Sequence, residues 1–346
     1  MIALFYKRKT IDGIKKLKRI SISTLMILKE AEKHGVSWEK IKFTGLFKLQ
    51  YKHNIKYFHA QIPSETTEFA YYCCKNKHLT NHIMEKANLS VNKGYLIKHH
   101  DDKSYCSKLF YDLDKPLVVK STDDSQGKNV YLNIRTEQAY IKAIEIIRSY
   151  NGKREVDILV EEMFTGHEYR ILASQKRILS VIERINANVI GDNKSTIKEL
   201  IRIKNKDAIR KKIPTYQSIL INNKVINFVQ KQRLTLNSVL AKDQQVFLLP
   251  HSASNISQGG DTIDVTDNLH PSVTKIVHKI MKNIPGLSLA GIDFMTTDIH
   301  KEQTNDTYKI IEINASPSLD WNEYPLVGPR RRISYEILKI MFPQIK

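Results

Sequence analysis

The chain has 346 residues, with 55 Lys/Arg against 36 Asp/Glu and a net charge of +19. That length can bury a large core and hold two or three lobes, and the basic excess favours an anionic partner: a nucleotide, an acidic peptide, a polyanion or nucleic acid. No apolar run approaches the roughly 18 residues of a membrane span, the start lacks a signal-peptide pattern, and Cys73, Cys74 and Cys106 have no zinc-site spacing, which together point to a reduced, cytoplasmic chain.

Residues 1–58 carry 14 Lys/Arg and 4 Asp/Glu, about half of the whole excess. Within them Ile22, Leu25 and Met26 form a helical stripe that continues to Ala31, and Gly35 is the stop signal. Phe43 to Phe58 reads as strands in which apolar and basic residues mix. A small α/β lobe with a solvated basic face accounts for this stretch; a docking surface for an acidic substrate is the functional alternative. No nucleic-acid-binding module is recognisable, so nucleic acid is not expected as a partner. In Asn76-Lys77-His-Leu-Thr80, Lys77 by itself reads as an ordinary helix-start lysine. His99-His100-Asp101-Asp102 lacks metal-ligand spacing on a regular element and reads as a solvated loop.

Leu117-Val-Val-Lys120 is a buried strand ending in a lysine, followed by Ser121-Thr-Asp-Asp124-Ser125-Gln126-Gly127-Lys128-Asn129. Such a loop can lay backbone N–H groups and Lys120 over phosphates, although no Gly-x4-Gly-Lys-Ser/Thr occurs. Glu137 to Ser149 carries Ala139, Ala143, Ile144, Ile146 and Ile147 as an amphipathic helix. Asp157 to Phe164 is a strand running into a linker, where Glu161 by itself is equally a functional acid or an end charge. Ile178 to Glu183 is a strand ending at Arg184, and Ser195 is expected to cap a helix through Ile203. In Ser254-Asn255-Ile-Ser257-Gln-Gly259-Gly260, the paired glycines allow close backbone approach to an anion. Pro271 starts a core helix with Val273, Ile276, Val277, Ile280 and Met281 on one face.

Two short β-branched segments follow, Leu289 to Met295 and Tyr308 to Asn314. Side chains alternate along a strand, so Glu312 and Asn314 project together while Ile311 and Ile313 are expected in the core. If the two strands pair, Asp293 joins that polar face. Two carboxylates and an amide oxygen then form a hard-oxygen site suited to Mg²⁺. The alternative, surface acids on an edge strand, conflicts with the apolar neighbours on both sides.

Gly291-Ile-Asp293, a spacer and Ile310-Ile-Glu312-Ile-Asn314-Ala-Ser-Pro317 resemble the metal-binding end of ATP-grasp ligases, most closely the ATP-grasp modules of cyanophycin synthetase and bifunctional glutathione synthetase. The likeness covers roughly residues 65–343, and its motifs occur in order. It implies an α/β (α+β) ATP-grasp fold with a small basic N-terminal lobe at 1–75, a nucleotide-binding subdomain at 76–170, and a C-terminal subdomain at 171–346 carrying metal and substrate sites. On the matching positions, Lys77, Lys120 and the loop Ser125, Gln126 and Gly127 would contact phosphate. Glu161, Glu162, Met163 and Phe164 would line the adenine, and Glu168 would take the ribose hydroxyls. Asp293, Glu312 and Asn314 would bind metal. Arg184 would face the transferring phosphate, with Asn255, Ser257 and Arg210 completing the catalytic set. Asn205 is a further family-like position. The chain departs from the family pattern at Asn76, at Ser121, Asp124 and Asn129, at Asn186, and through Asp320 to Glu323, where the acceptor would sit.

The activity so implied is a free-standing, ADP-forming carboxylate–amine ligase. It would use ATP and Mg²⁺, two ions with Mn²⁺ as a substitute, and pass through an acyl phosphate. Its partners would be a carboxylate donor, acidic if the N-terminal charge serves it, and an amine acceptor; a homodimer is compatible and no membrane is involved. A glutathione-synthetase-like ligase of small thiol peptides is one alternative. A nucleotide-regulated binding protein for an anionic partner is another. If the basic lobe gathers the donor, reversing Lys15, Lys16, Lys18 and Arg19 to Glu raises the donor's KM more than that of ATP, and moderate salt does the same. A donor KM unmoved by either treatment would leave that charge as solvated surface.

Overall fold

The structure is a computed structural model that describes residues 20–122, 129–150, 155–213, 215–250 and 258–346. The chain enters through α1 (Ile22–Lys33), capped where the Ser21 hydroxyl accepts from the Thr24 amide. It ends ahead of Gly35, whose φ of +68° suits a glycine at a helix stop. An antiparallel meander follows: β1 (Ser37–Lys40), β2 (Leu46–Tyr51), β3 (Asn54–His59) and β4 (Ile62–Pro63). Alternation along it turns Phe47, Leu49 and Phe58 inward, with the two phenylalanine rings stacked 5.2 Å apart.

After α2 (Glu68–Lys75) and α3 (Lys77–Lys86), a second antiparallel sheet forms. Its strands are β5 (Gly94–Ile97), β6 (Leu117–Ser121), β7 (Val130–Ile134) and β8 (Ile158–Glu162), in the order β5-β8-β6-β7. The helices α4 (Lys103–Tyr111) and α5 (Glu137–Tyr150) lie in the same segment, and their side chains fill its core. Phe110, Tyr140, Ala143, Ile144 and Ile147 pack there against Leu117, Val119, Ile158 and Val160. Ile146, expected on the apolar stripe of α5, is exposed, and Tyr140 takes the buried position. Asp102 from the histidine-rich loop caps α4 by accepting from the Tyr105 amide at 2.8 Å.

The third sheet dominates the molecule. It contains β9 (His167–Ser174) and β10 (Ile178–Ile185). Beyond them come the small ladder strand β11 (Asn188–Ile190) and the helices α6 (Ile197–Asn205), α7 (Ala208–Lys212) and α8 (Asn223–Lys231). Next are β12 (Gln245–Phe247), which pairs with β11, and β13 (Asp261–Asp264). Last come α9 (Pro271–Asn283), β14 (Leu289–Thr296), β15 (Tyr308–Asn314), α10 (Asp320–Glu323) and α11 (Ile333–Met341). The order across the large sheet is β13-β10-β9-β14-β15, antiparallel throughout. The expected limit at 170/171 falls within β9, and α2 and α3, on either side of 75/76, both contribute to the core of this sheet.

One face of the sheet carries Ile171, Ala173, Ala290, Ile292, Phe294, Ile310 and Ile313, packed with Val273, Val277 and Ile280 of α9 and with Cys73 and Met84. The other face changes character along its strands. Leu172 and Leu289 cluster with α1 and α11, whereas Glu168, Arg170 and Asp293 on the same strands are charged.

Two local expectations are corrected. Thr196, not Ser195, caps α6, in a capping box with Glu199, because Ser195 is already bound to the Asp192 carboxylate. Ile311 is only half-buried, and Ile310 is the residue in the core. The register moves from Asp293↔Glu312 to Phe294↔Ile310, so Ile311 is the extra residue of a β-bulge. The Arg330–Arg332 run is an anchor: Arg330 binds Glu323, Arg331 binds Asp264 and Asp267, and Arg332 binds Glu30.

Glu30 is buried where α1 meets α11. Burial alone would raise its pKa, but hydrogen bonds from Lys33 and Arg332 hold the carboxyl down at about 2, against an ordinary value of 4.5. The stabilisation is therefore fully present above 4.5 and is lost as pH falls from there toward 2. Glu30→Gln is expected to cost about 1–3 kcal/mol at neutral pH. In urea unfolding the gap to the parent protein should narrow steadily below the ordinary carboxyl value; a gap of constant size would exclude this ion pair as its source.

Candidate active site

The charged half-face is built by strand register. Asp293 lies opposite Glu312 on one side and Arg170 on the other, while Arg184 lies opposite Glu168. Asn314 lies opposite Gly291, two residues from Glu312 and on the same face. The bulge at Ile311 permits this: it lets Ile310 and Ile313 both enter the core while Glu312 stays with Asp293.

Asp293 Oδ1 accepts from Arg170 Nη1 at 2.7 Å and from Arg184 Nη2 at 2.9 Å. Arg184 Nη2 also stands 3.0 Å from Glu168 Oε1, an ion pair whose direction does not make a hydrogen bond. Burial alone would lower the pKa of Arg184, but the charges of Asp293 and Glu168 raise it, so the guanidinium is permanently charged. Its Nε is buried without a hydrogen-bond partner among the described residues. Gly291 is required by close approach, since a Cβ there would sit 2.5 Å from Pro317 Cβ and 3.2 Å from Arg170 Cζ.

Three acids and two arginines share this face; the charge of Glu312 also acts on Arg184, yet Glu312 is the acid that makes no ion pair with either arginine. No described residue donates to its half-buried carboxylate. Its charge is felt on the opposite side of the strand: burial, then Cys73 and Glu312, push the Cys74 thiol up to about 12. Asn314 Oδ1 accepts from the Ser316 amide at 2.7 Å, which fixes the amide and leaves its oxygen a second lone pair. No group of three His, Cys, Asp or Glu able to hold a metal occurs among the described residues. A carboxylate with no hydrogen-bond donor among the described residues, beside a second carboxylate and an oriented amide oxygen, fits a hard divalent cation.

A second cluster sits in the β5–β8 sheet. Lys120 Nζ lies 2.6 Å from Glu161 Oε2, with both side chains almost fully buried. Asn81 of α3 donates to Glu161 Oε1 at 3.1 Å. Lys77 stands at the first turn of α3, where Asn76 caps the helix by accepting from the Leu79 amide, the work an Asp would do. At the end of β8, Glu162 pairs with Lys93 and accepts from the Asp114 amide, and just beyond it the Met163 amide donates to the Pro116 carbonyl at 2.8 Å. Phe164 is half-buried in the turn before β9. Ser125, Gln126 and Gly127, like Asn255 and Ser257, lie outside the described residues.

Arg210 is placed at the far edge of the large sheet. Its Nη2 donates to the Gly260 carbonyl at 2.9 Å and binds the Asp261 carboxylate, which Lys204 also binds at 2.5 Å. Asn205 exchanges two hydrogen bonds with the backbone of Ile219 and so holds the segment that carries Tyr216. Arg170 and Asn81 were not assigned from sequence. Arg170 follows Glu168 by two residues on one strand, and Asn81 follows Lys77 by one helical turn, so both share faces with assigned residues.

No protein-family model matches the chain. Among curated proteins it is similar to cyanophycin synthetase of Synechocystis sp. (strain ATCC 27184 / PCC 6803 / Kazusa), 30% identical over 324 residues that cover 93% of this chain and 36% of the relative. It is also similar to the glutathione biosynthesis bifunctional protein GshAB of Clostridium perfringens, 29% identical over 327 residues covering 93% of this chain and 41% of that one. Among solved structures, the bifunctional glutathione synthetase from Pasteurella multocida superposes with a TM-score of 0.73 at 25% identity, over 94% of this chain and 44% of that one. The chain thus spans roughly two fifths of the length of the curated relatives it matches.

Lys120→Met leaves the buried Glu161 charge without its cation and should cost about 3 kcal/mol in chemical unfolding without nucleotide. The double variant Lys120→Met/Glu161→Gln should recover much of that loss. Equal stability of the two variants would show that the pair is not coupled.

Proposed function

We propose that this chain, which has the ATP-grasp fold, is an ATP-dependent carboxylate–amine ligase that forms an amide bond and releases ADP and phosphate. The observation that carries the reading is the Glu312 carboxylate, to which no described residue donates a hydrogen bond, set beside Asp293, Asn314 and the buried Arg184. A module of this length in relatives named as a cyanophycin synthetase and a glutathione-synthesising protein supports it.

In this reading the nucleotide lies between the β5–β8 sheet and the charged half-face. Lys120 and Lys77 bind its phosphates, and Lys120 is kept extended toward them by Glu161. Glu162 to Phe164, which connect β8 toward β9, border the base, and Glu168 faces the ribose. Asp293, Glu312 and Asn314 would hold Mg²⁺, which offsets phosphate charge when bound. Arg184 supplies a fixed positive charge where negative charge develops on phosphoryl transfer to the substrate carboxylate. The resulting acyl phosphate is then open to an amine, with phosphate as the leaving group.

Glu312→Ala should abolish ADP formation with an unchanged fold, and parental turnover would remove Glu312 from the site. With substrate acid labelled by ¹⁸O in its carboxylate, one label should appear in the released phosphate. AMP as product, or unlabelled phosphate, would mean a different activation chemistry.

A further inference from the structure

The loop that follows Asn314 is held from outside the large sheet, by the N-terminal lobe. Ser316, whose amide fixes Asn314 Oδ1, donates its hydroxyl to Gln61 Oε1 at 3.3 Å. Three residues on, the Leu319 amide donates to the Ser23 hydroxyl of α1 at 3.0 Å in a buried contact. Gln61 lies between β3 and β4, 255 positions from Ser316, and is 7% exposed. Its Nε2 donates to Ser21 Oγ, the cap of α1, at 2.6 Å and to Thr24 Oγ1 at 3.3 Å.

Counting protons gives this network one direction. Thr24 Oγ1 donates its single proton to the Ala60 carbonyl at 2.9 Å. The 2.8 Å contact between Thr24 Oγ1 and Ser21 Oγ therefore takes its proton from Ser21. Ser21 Oγ then has nothing further to donate and accepts twice, from the Thr24 amide at 3.1 Å and from Gln61 Nε2. A glutamine amide offers donors on one side and an acceptor on the other. Both sides of Gln61 are satisfied only with its NH₂ toward α1, which turns its carbonyl oxygen toward Ser316. The cap of α1 thus sets Gln61, Gln61 sets Ser316, and Ser316 sets Asn314.

We propose that Gln61 is a positioning residue for Asn314, acting through Ser316, so that the N-terminal lobe orients one oxygen of the cation site. With the Ser316 amide on one lone pair, the second lone pair of Asn314 Oδ1 keeps one direction. Released from Gln61, the loop must be ordered again each time the amide oxygen is used, and binding is weakened by that cost. Groups that orient a metal ligand are commonly worth about tenfold or more in metal affinity. Gln61 acts one bond further out, so about fivefold is expected of it. The role of Asn314 toward Mg²⁺ rests on the ligase reading above; the relay from α1 to Asn314 does not.

Gln61→Met keeps the length of the side chain and removes both ends of the relay, Ser316→Ala removes its middle, and Ser316→Thr keeps the hydroxyl. In the full chain without ligand, hydrogen exchange of the Ser316 amide reads the bond that fixes Asn314. Gln61→Met and Ser316→Ala should each lower its protection about fivefold, and the double variant no further, because both cut one path. Ser316→Thr should keep the parental protection. The Ile171 amide in the buried strand β9 should be unmoved in every variant, which separates lost positioning from general destabilisation. By calorimetry, Gln61→Met should weaken a non-hydrolysable ATP analogue about fivefold with Mg²⁺ present and leave its affinity in EDTA unchanged. Parental Ser316 protection in Gln61→Met, independent losses in the double variant, or equal weakening with and without Mg²⁺ would overturn the proposal. Lowered Ser316 protection in a chain that binds no nucleotide would uphold the relay and overturn the ligase reading.

Discussion

Asp293 Oδ1 accepts from Arg170 at 2.7 Å and Arg184 at 2.9 Å, tying three adjacent strands of the large sheet together through one oxygen. Neither guanidinium could sit this far from solvent alone, because an unpaired buried charge is far costlier than any packing it brings. With Glu168 beside Arg184, the two arginines are balanced by two acids. Glu312 acts on Arg184 through its charge but makes no ion pair of its own among the described residues. Both arginines are immobilised by that balance, and Glu312 lies opposite Asp293 on the same face.

The same sheet supports this charge and the largest core because its two faces are unlike. β9 alternates Tyr169, Ile171 and Ala173 into the apolar layer under α9 with Glu168, Arg170 and Leu172 on the other side. Along that second side the residues pass from charged to apolar, and the apolar end is closed by α1 and α11. The N-terminal helix and the C-terminal helix thus seal one half of a sheet whose other half stays polar. Glu30 and the Arg330–Arg332 run tie that seal to α10, whose Trp321 ring meets that of Tyr216.

Between the two main sheets the link is a helix. α3 rests on the core of the large sheet through Met84, and reaches across to Glu161 in the smaller one through Asn81. Glu161 holds Lys120, so the lysine's position depends on both sheets at once. A ligand bound against Lys120 and against Glu312 would touch groups that the fold has already related to one another.

Much of the site was legible in the sequence because period-2 alternation and short polar interruptions of apolar strands are local signals. Glu312 and Asn314 share a face by spacing alone, Pro271 starts its helix, and Asn76 caps α3 as its position implies. Other features depend on what meets what. The bulge at Ile311 exists because a partner strand sets the register, and it moved Ile310 into the core in place of Ile311. Ser195 lost the cap to Thr196 because its own hydroxyl was taken by Asp192. The pairings of Arg170 with Asp293 and of Asn81 with Glu161, and the meeting of the Tyr216 and Trp321 rings, join residues 80 or more positions apart. The sequence by itself determined which residues could share a strand or helix face, since backbone geometry makes that a matter of spacing. Only the tertiary structure decided which of those charges are paired and which donors stay open, because pairing depends on partners that chain folding, not chain order, brings together.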